Sequence, residues 1–227
     1  MTKARLAPFR QTFFVGGAIS ALLSLGPAWA GSLQIFSTGV DDAGQSLAAP
    51  GIIDSHWSIG GVQAITAIDP NSGWIANITT GPKQSGWIGP NPVDQTEKTY
   101  NYIQSFFVPA GAKGLSLSGK WATDDGARLY LNGQEILSAR TESFLFPSPW
   151  TVFQSFATDD TALFLPGATN ELRAEIINTG GPTGFQAQIS GTYQDVPAPL
   201  PLLGLAAAFH CRRRLRRRQM ESRSSTS

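Results

Sequence analysis

The chain is expected to be all-β, an antiparallel β-sandwich, and three observations predict it. Apolar and polar residues alternate with period two along several stretches of its second half, which sets one side of each strand against a core and the other in water. Glycine (24) and proline (15) recur at short intervals, as turns between short strands require. No stretch between Gly31 and Asp195 shows a capped apolar period of 3.6, so neither a helical bundle nor βαβ spacing is on offer. A jelly-roll is the arrangement expected.

Taken in order, the N-terminus reads as an export signal. Lys3, Arg5 and Arg10 precede an apolar run from Phe13 to Leu25, and Ala28-Trp29-Ala30 offers a small-x-small cleavage site before Gly31. Residues 1–30 are therefore expected to be a signal peptide, handled by signal peptidase and the secretion machinery. An N-terminal anchor is the alternative, against which Gly26-Pro27 and the small residues weigh. The exported body, 31–195, opens on a strand at Leu33–Phe36. Gly73-Trp74-Ile75 returns 13 residues later as Gly86-Trp87-Ile88, with the turn residues Thr80-Gly81-Pro82 between. This echo reads either as two strands that each plant a tryptophan in the core, or as a pair of exposed aromatic platforms, Trp74 and Trp87, for a sugar.

From Thr99 the β pattern strengthens. Thr99–Val108 is an aromatic strand ended by Pro109-Ala110-Gly111. Leu115, Leu117, Gly119 and Trp121 alternate with Ser116, Ser118 and Lys120. Leu129 and Leu131 run into Asn132-Gly133, the dipeptide that suits a two-residue hairpin turn because both central residues need positive φ. Leu172, Ala174 and Ile176 alternate with Glu171, Arg173 and Glu175. Phe185, Ala187, Ile189, Gly191 and Tyr193 alternate with Gln186, Gln188, Ser190 and Thr192.

Charge divides the chain. The whole sequence carries a formal +1, but residues 31–195 hold 7 Lys/Arg against 15 Asp/Glu, so the body stands at 7 − 15 = −8. An acidic body excludes nucleic acid as a partner, since phosphate binding needs a basic face. The one cysteine, Cys211, lies in the tail, so the body has no internal disulfide and depends on its core. Cys211 reads as an inert thiol or, alternatively, an acylation site.

The C-terminus carries the clearest address. Val196-Pro197-Ala198-Pro199 is followed by an apolar run, Leu200 to Cys211, and then by Arg212, Arg213, Arg214, Arg216, Arg217 and Arg218. A stable transmembrane helix needs roughly 20 apolar residues, and arginines are held on the cytoplasmic side. The short apolar helix expected here suits a transient span of the inner membrane. This tripartite ending resembles the PEP-CTERM sorting signal, with Ala198 where glutamate is usual. The resemblance implies processing of 196–218 by an exosortase-type enzyme, a disordered remnant at 219–227, and delivery of the body to the cell envelope, cell surface or extracellular space.

Within the body, Trp121 to Leu137 (WATDDGARLYLNGQEIL) and the strand opened by Pro166-Gly167-Ala168-Thr169-Asn170 resemble the galactose-binding-like jelly-rolls, and DDGARLYLNG is similar to the PA14 signature. In that resemblance Asp124 and Asp125 are calcium ligands that orient sugar hydroxyls. From the residues alone, Asp-Asp-Gly reads first as a turn whose carboxylates accept backbone N–H bonds. Asp159-Asp160 reads as a solvated turn. Asp54-x-His56-Trp57 reads as packing, because one body histidine without a nucleophile elbow gives no catalytic triad. The expectation is a non-catalytic surface or matrix protein that binds carbohydrate, such as exopolysaccharide, through Trp74, Trp87, Asp124 and Asp125. Its alternatives are a secreted polysaccharide-acting hydrolase with an unrecognised carboxylate pair and a purely structural envelope module.

Overall fold

The computed structural model describes residues 29–68, 73–139 and 148–195. The signal segment before Trp29, the sorting motif from Val196, the arginine cluster, Cys211 and the 219–227 tail lie outside the described residues. By its contacts the chain divides into two units, residues 27–198 and a second made of 1–26 with 199–227; only the first contains described residues.

Eleven strands are described: β1 (Trp29–Ser32), β2 (Ile53–Ile59), β3 (Val62–Thr66), β4 (Ile88–Gly89), β5 (Lys98–Phe107), β6 (Lys113–Asp124), β7 (Gly126–Leu131), β8 (Gln134–Ala139), β9 (Gln154–Thr158), β10 (Thr169–Asn178) and β11 (Gly184–Asp195). One 3₁₀ turn, Thr161–Leu163, is the only helical element among the described residues. No helix among them is long and apolar enough to cross a membrane. All pairings are antiparallel, in the order β8-β7-β10-β5-β2-β3-β4-β11-β6-β9, with β1 on β11.

That path closes into two layers. β5 and β11 stand four places apart, about 19 Å in a flat sheet at roughly 4.8 Å per strand. Yet the Tyr102 ring of β5 lies 5.5 Å from the Phe185 ring of β11. The sheet therefore folds over at the short strands β3 and β4, bringing β8-β7-β10-β5-β2 against β11-β6-β9. The expected antiparallel β-sandwich of jelly-roll type is what forms. Its core is the inward half of each alternating strand: Leu129 and Leu131, Leu172, Ala174 and Ile176, Leu115, Leu117 and Trp121, and Phe185, Ala187 and Ile189, all essentially inaccessible. Phe185 lies at the centre, edge-on to Trp57 and Trp121. At roughly 25 cal/mol per Å², each fully buried side chain of this size contributes about 1.5–3 kcal/mol.

The Asn132-Gly133 turn is as expected, with φ of 51° and 80°, and Asn132 is tied further by donating to Leu163 O and Asn170 Oδ1 and by accepting from Glu171 N. The start of the body differs from expectation. The first strand is Trp29–Ser32, which takes in the last two residues ahead of Gly31, and Leu33–Phe36 is irregular. The reason is a competing partner. The β1–β11 ladder ends at Ser32–Thr192. Beyond it, the Gln104 side chain clamps Phe36, accepting from its N–H at 2.9 Å and donating to its carbonyl at 3.1 Å. Leu33 and Ile35 are buried all the same.

Candidate functional site

Two crossings between the layers lie side by side at one end of the sandwich. β6 pairs with β11 in one layer, whereas β7 pairs with β10 in the other. The chain thus passes from layer to layer at Asp124-Asp125-Gly126 and passes back between Asn178 and Gly184. Gly184 faces Asp124 in the ladder, and Ile177 faces Gly126. The topology alone forces the acid pair against the Thr179-Gly180-Gly181-Pro182-Thr183 turn.

The side chains then join the crossings. Asp125 Oδ2 accepts from both the N–H and the hydroxyl of Thr179, each at 2.7 Å. Thr183 donates its hydroxyl to Asp124 O at 2.8 Å, and Thr123 donates to Asp125 O at 2.8 Å. Asn178 donates to Gly181 O and Thr96 O. The Asp124–Asp125 peptide bond is cis, and both acids are about 95% buried.

The two tryptophans meet at this same end. Trp74 stacks on Trp87 with ring centroids 4.3 Å apart and 28° between planes. Trp74 Nε1 donates to Asp124 Oδ2 at 2.7 Å, and Trp87 Nε1 donates to Ile75 O at 2.8 Å. Gly184 makes the fit possible. A Cβ on it would come within 2.6 Å of the Trp74 ring and 3.0 Å of the Trp87 ring. Neither reading of the Gly-Trp-Ile echo survives whole. Trp87 is buried, Trp74 is half-buried, and of the two triplets only Ile88 lies in a strand. One tryptophan is the support and the other the plate laid on it.

Trp74, Trp87, Asp124 and Asp125 thus come together, though they were selected from separate stretches. Sequence reasoning missed the residues that hold them: Thr179, Thr183, Asn178 and Asp94. Asp94 accepts from Thr96 N at 2.9 Å and from Tyr100 Oη at 3.0 Å, while its carbonyl accepts from Thr183 N at 2.8 Å. Burial and the Asp94 charge push the Tyr100 phenol up to about 12, so it stays a donor across the physiological range. The available signal was the Asn-Thr-Gly-Gly-Pro turn, which joins two alternating runs and lies opposite the acid pair.

Calcium, the ion that the PA14 resemblance implies, takes about six to eight oxygens. Here Oδ2 of each acid already has hydrogens aimed at it, from Trp74 and from Thr179. Among the described residues, no group of three His, Cys, Asp or Glu side chains converges. These donors do not by themselves compose a calcium shell. What they do form is a fixed acceptor that pins the indole.

The remaining candidates fall elsewhere. Asp160 accepts from Ala162 N at 3.0 Å and caps the 3₁₀ turn. Asp54 is fully buried and accepts from the N–H groups of Gly39, His56 and Trp57. His56 stacks on Phe36 at 3.7 Å and bonds Asp42 at 3.0 Å.

No protein-family model matches the chain, and no curated protein matches it. Solved structures resemble parts of it. A family 35 carbohydrate-binding module from Clostridium thermocellum is 17% identical over 63% of this chain and 98% of that one, with a TM-score of 0.35. An apo-form cyclase from Fischerella sp. is 10% identical over 71% and 96%, with a TM-score of 0.42. For a β-glucosidase from Kluyveromyces marxianus the identity is 20% over 44% of this chain, the TM-score is 0.29, and only 11% of that longer chain is spanned. These overlaps are partial, and the fold assignment stands on the strand order and register of this chain.

Proposed function

We propose that this chain is an exported, non-catalytic module that binds carbohydrate at the loop end of its sandwich, with exopolysaccharide as the natural ligand. One observation carries the reading: Trp74, partly exposed, is stacked on a buried Trp87 and held by Asp124. An indole fixed in this way is a preorganised plate. Sugars present C–H surfaces that pack on aromatic faces, and polar groups beside the ring orient their hydroxyls. Exposed Thr179 is bonded to Asp125, the residue next to the one that holds the indole. Export and exosortase-type sorting to the cell surface belong to the same proposal, supported by the signal-like N-terminus and the Pro-apolar-Arg tail.

The test is a glycan array on the full chain, in calcium and in chelator, followed by titration of the best ligand. Trp74→Ala is expected to weaken binding at least tenfold while leaving the melting transition cooperative. Absence of binding in both buffers would sink the proposal. Equal binding in the two buffers agrees with the donor set above, whereas binding seen only with calcium would assign the acid pair to the ion. For sorting, deletion of Val196–Ser227 should release the body from the envelope, and unchanged retention would remove the tail's role.

A further inference from the structure

A groove lies on the outer face of the β11-β6-β9 layer. Period-two alternation turns Ser118 and Lys120 of β6 outward, and register sets their neighbours. Lys120 stands between Ser155 and Gln188, and Ser118 stands beside Ser190. Lys83 closes the row from the loop before β4. Its Nζ donates to Ile189 O at 2.7 Å, and the Gln188 side-chain amide donates to Lys83 O. Both ends of Lys83 are thereby tied to β11. Lys120 Nζ sits 4.9 Å from the centre of the Phe153 ring. The result is an open groove of about 360 Å³ lined by these two lysines, three serines and Gln188, over Gly119 and Phe156.

Two amines share this groove. The body around it holds 7 basic residues against 15 acidic ones between Gly31 and Asp195. The groove is lined by those two amines and no carboxylate. Amines alone would suit any anion. Here they stand among three hydroxyls and an amide, which suit a ligand carrying several hydroxyls as well as a charge.

We propose that this groove binds a carboxylated sugar, a uronate unit of an acidic polysaccharide, with Lys83 and Lys120 on its carboxylate and Ser118, Ser155, Ser190 and Gln188 on its hydroxyls. The proposal rests on the carbohydrate-binding reading and names a ligand class for it. Burial lowers the Lys83 amine from its ordinary value, and a carboxylate beside it would favour its charged form. Lys120 and Asp124 are four residues apart on β6, about 13 Å at roughly 3.3 Å per residue. One polymer can therefore engage the groove and the Trp74 plate together, and such linked contacts raise affinity without new chemistry.

The experiment is calorimetric titration of the full chain with trigalacturonate, with its uncharged methyl ester and with sodium sulfate, using wild type, Lys83→Gln/Lys120→Gln and Trp74→Ala. The double substitution keeps most of each side-chain stem, and its melting temperature confirms folding. It is expected to weaken trigalacturonate at least tenfold and leave the ester unchanged, and rising salt should weaken the wild type alone toward the same value. Equal trigalacturonate affinity in wild type and the double variant would overturn the groove. So would sulfate bound as tightly as the trisaccharide, which would make this an inorganic anion site. If Trp74→Ala alone changes nothing while the double variant loses trigalacturonate, the plate reading fails and the groove stands. The converse result leaves the plate and removes the groove.

Discussion

The two halves of the body obey different rules. From β5 onward, strands of 5 to 12 residues carry the alternation, and the ladders of β10 with β5 and β7 run without a break in register. Before β5, the strands are 7, 5 and 2 residues long after the four-residue β1, and the chain is held largely by side chains reaching the backbone. Thr38 accepts from Ala187 N and donates to Gly86 O, Gln104 clamps Phe36, and Asp54 gathers three N–H groups. The later half is a hydrophobic sandwich. The earlier half is a wrapping, pinned onto it by buried polar groups, and it supplies both tryptophans of the candidate site. Apolar burial sets the scaffold, while hydrogen bonds place the site.

The harshest way to break that contrast is to strike the shared centre. Phe185→Ala removes a ring that touches Trp57 from the wrapping and Tyr102 and Trp121 from the sandwich. A cost of about 3–5 kcal/mol is expected, read as a fall in the urea midpoint, with both halves lost in one transition. Two separated transitions would show that the wrapping folds apart from the sandwich.

Asp54→Ala sharpens the contrast instead. It deprives the N–H groups of Gly39, His56 and Trp57 of their acceptor, of which the Gly39 bond at 2.7 Å is the shortest. An unsatisfied buried donor costs about 1–3 kcal/mol, so the expected loss is smaller than for Phe185. By hydrogen exchange it should be local: amides of 36–47 exchange faster, while those of β10 keep their protection. Uniform acceleration would mean that Asp54 supports the whole fold rather than the wrapping.

This division explains what could be read from residues alone. Leu172, Ala174 and Ile176 signalled a strand because the period that buries them is local, and all three are fully buried. Asn132-Gly133 signalled its turn because positive φ is a property of those two residues. Leu33–Phe36 misled, because the partner that ends its ladder is Gln104, 68 positions away. The candidate site was legible residue by residue but not as an assembly. Trp74 and Asp124 are 50 positions apart, and their meeting depends on where two crossings fall in the sheet order. Periodicity reports which face a residue takes; it carries no information on which loops end up adjacent.

Asp54 and Asp94 turn the same contrast into a pH test, because their shifts have opposite signs. Burial raises the Asp54 carboxyl above its ordinary value of 3.8, outweighing the N–H groups of His56 and Gly39. Its native form prefers the proton, so the stability linked to it is present at low pH and lost as pH rises through its folded value. Burial also pulls Asp94 upward, but the Thr96 and Tyr100 donors and the Lys98 charge together outweigh it and leave the carboxyl below 3.8. Asp94 therefore contributes stability that is present above its unfolded value and lost as pH falls through the folded one. Because the Asp94 carboxylate holds Thr96 N and Tyr100 Oη, and Thr96 O in turn accepts from Asn178 at the end where Trp74 sits, this loss should reach the site first. In Asp94→Asn, the fall in melting temperature below about pH 4 should be shallower than in wild type. Ligand-free Trp74 fluorescence, isolated by difference against Trp74→Ala, should also lose its acid transition. A variant that keeps the wild-type acid limb would show that Asp94 holds no charge-dependent part of the brace. Its contacts would then act as neutral hydrogen bonds, and the smallest of these effects would vanish.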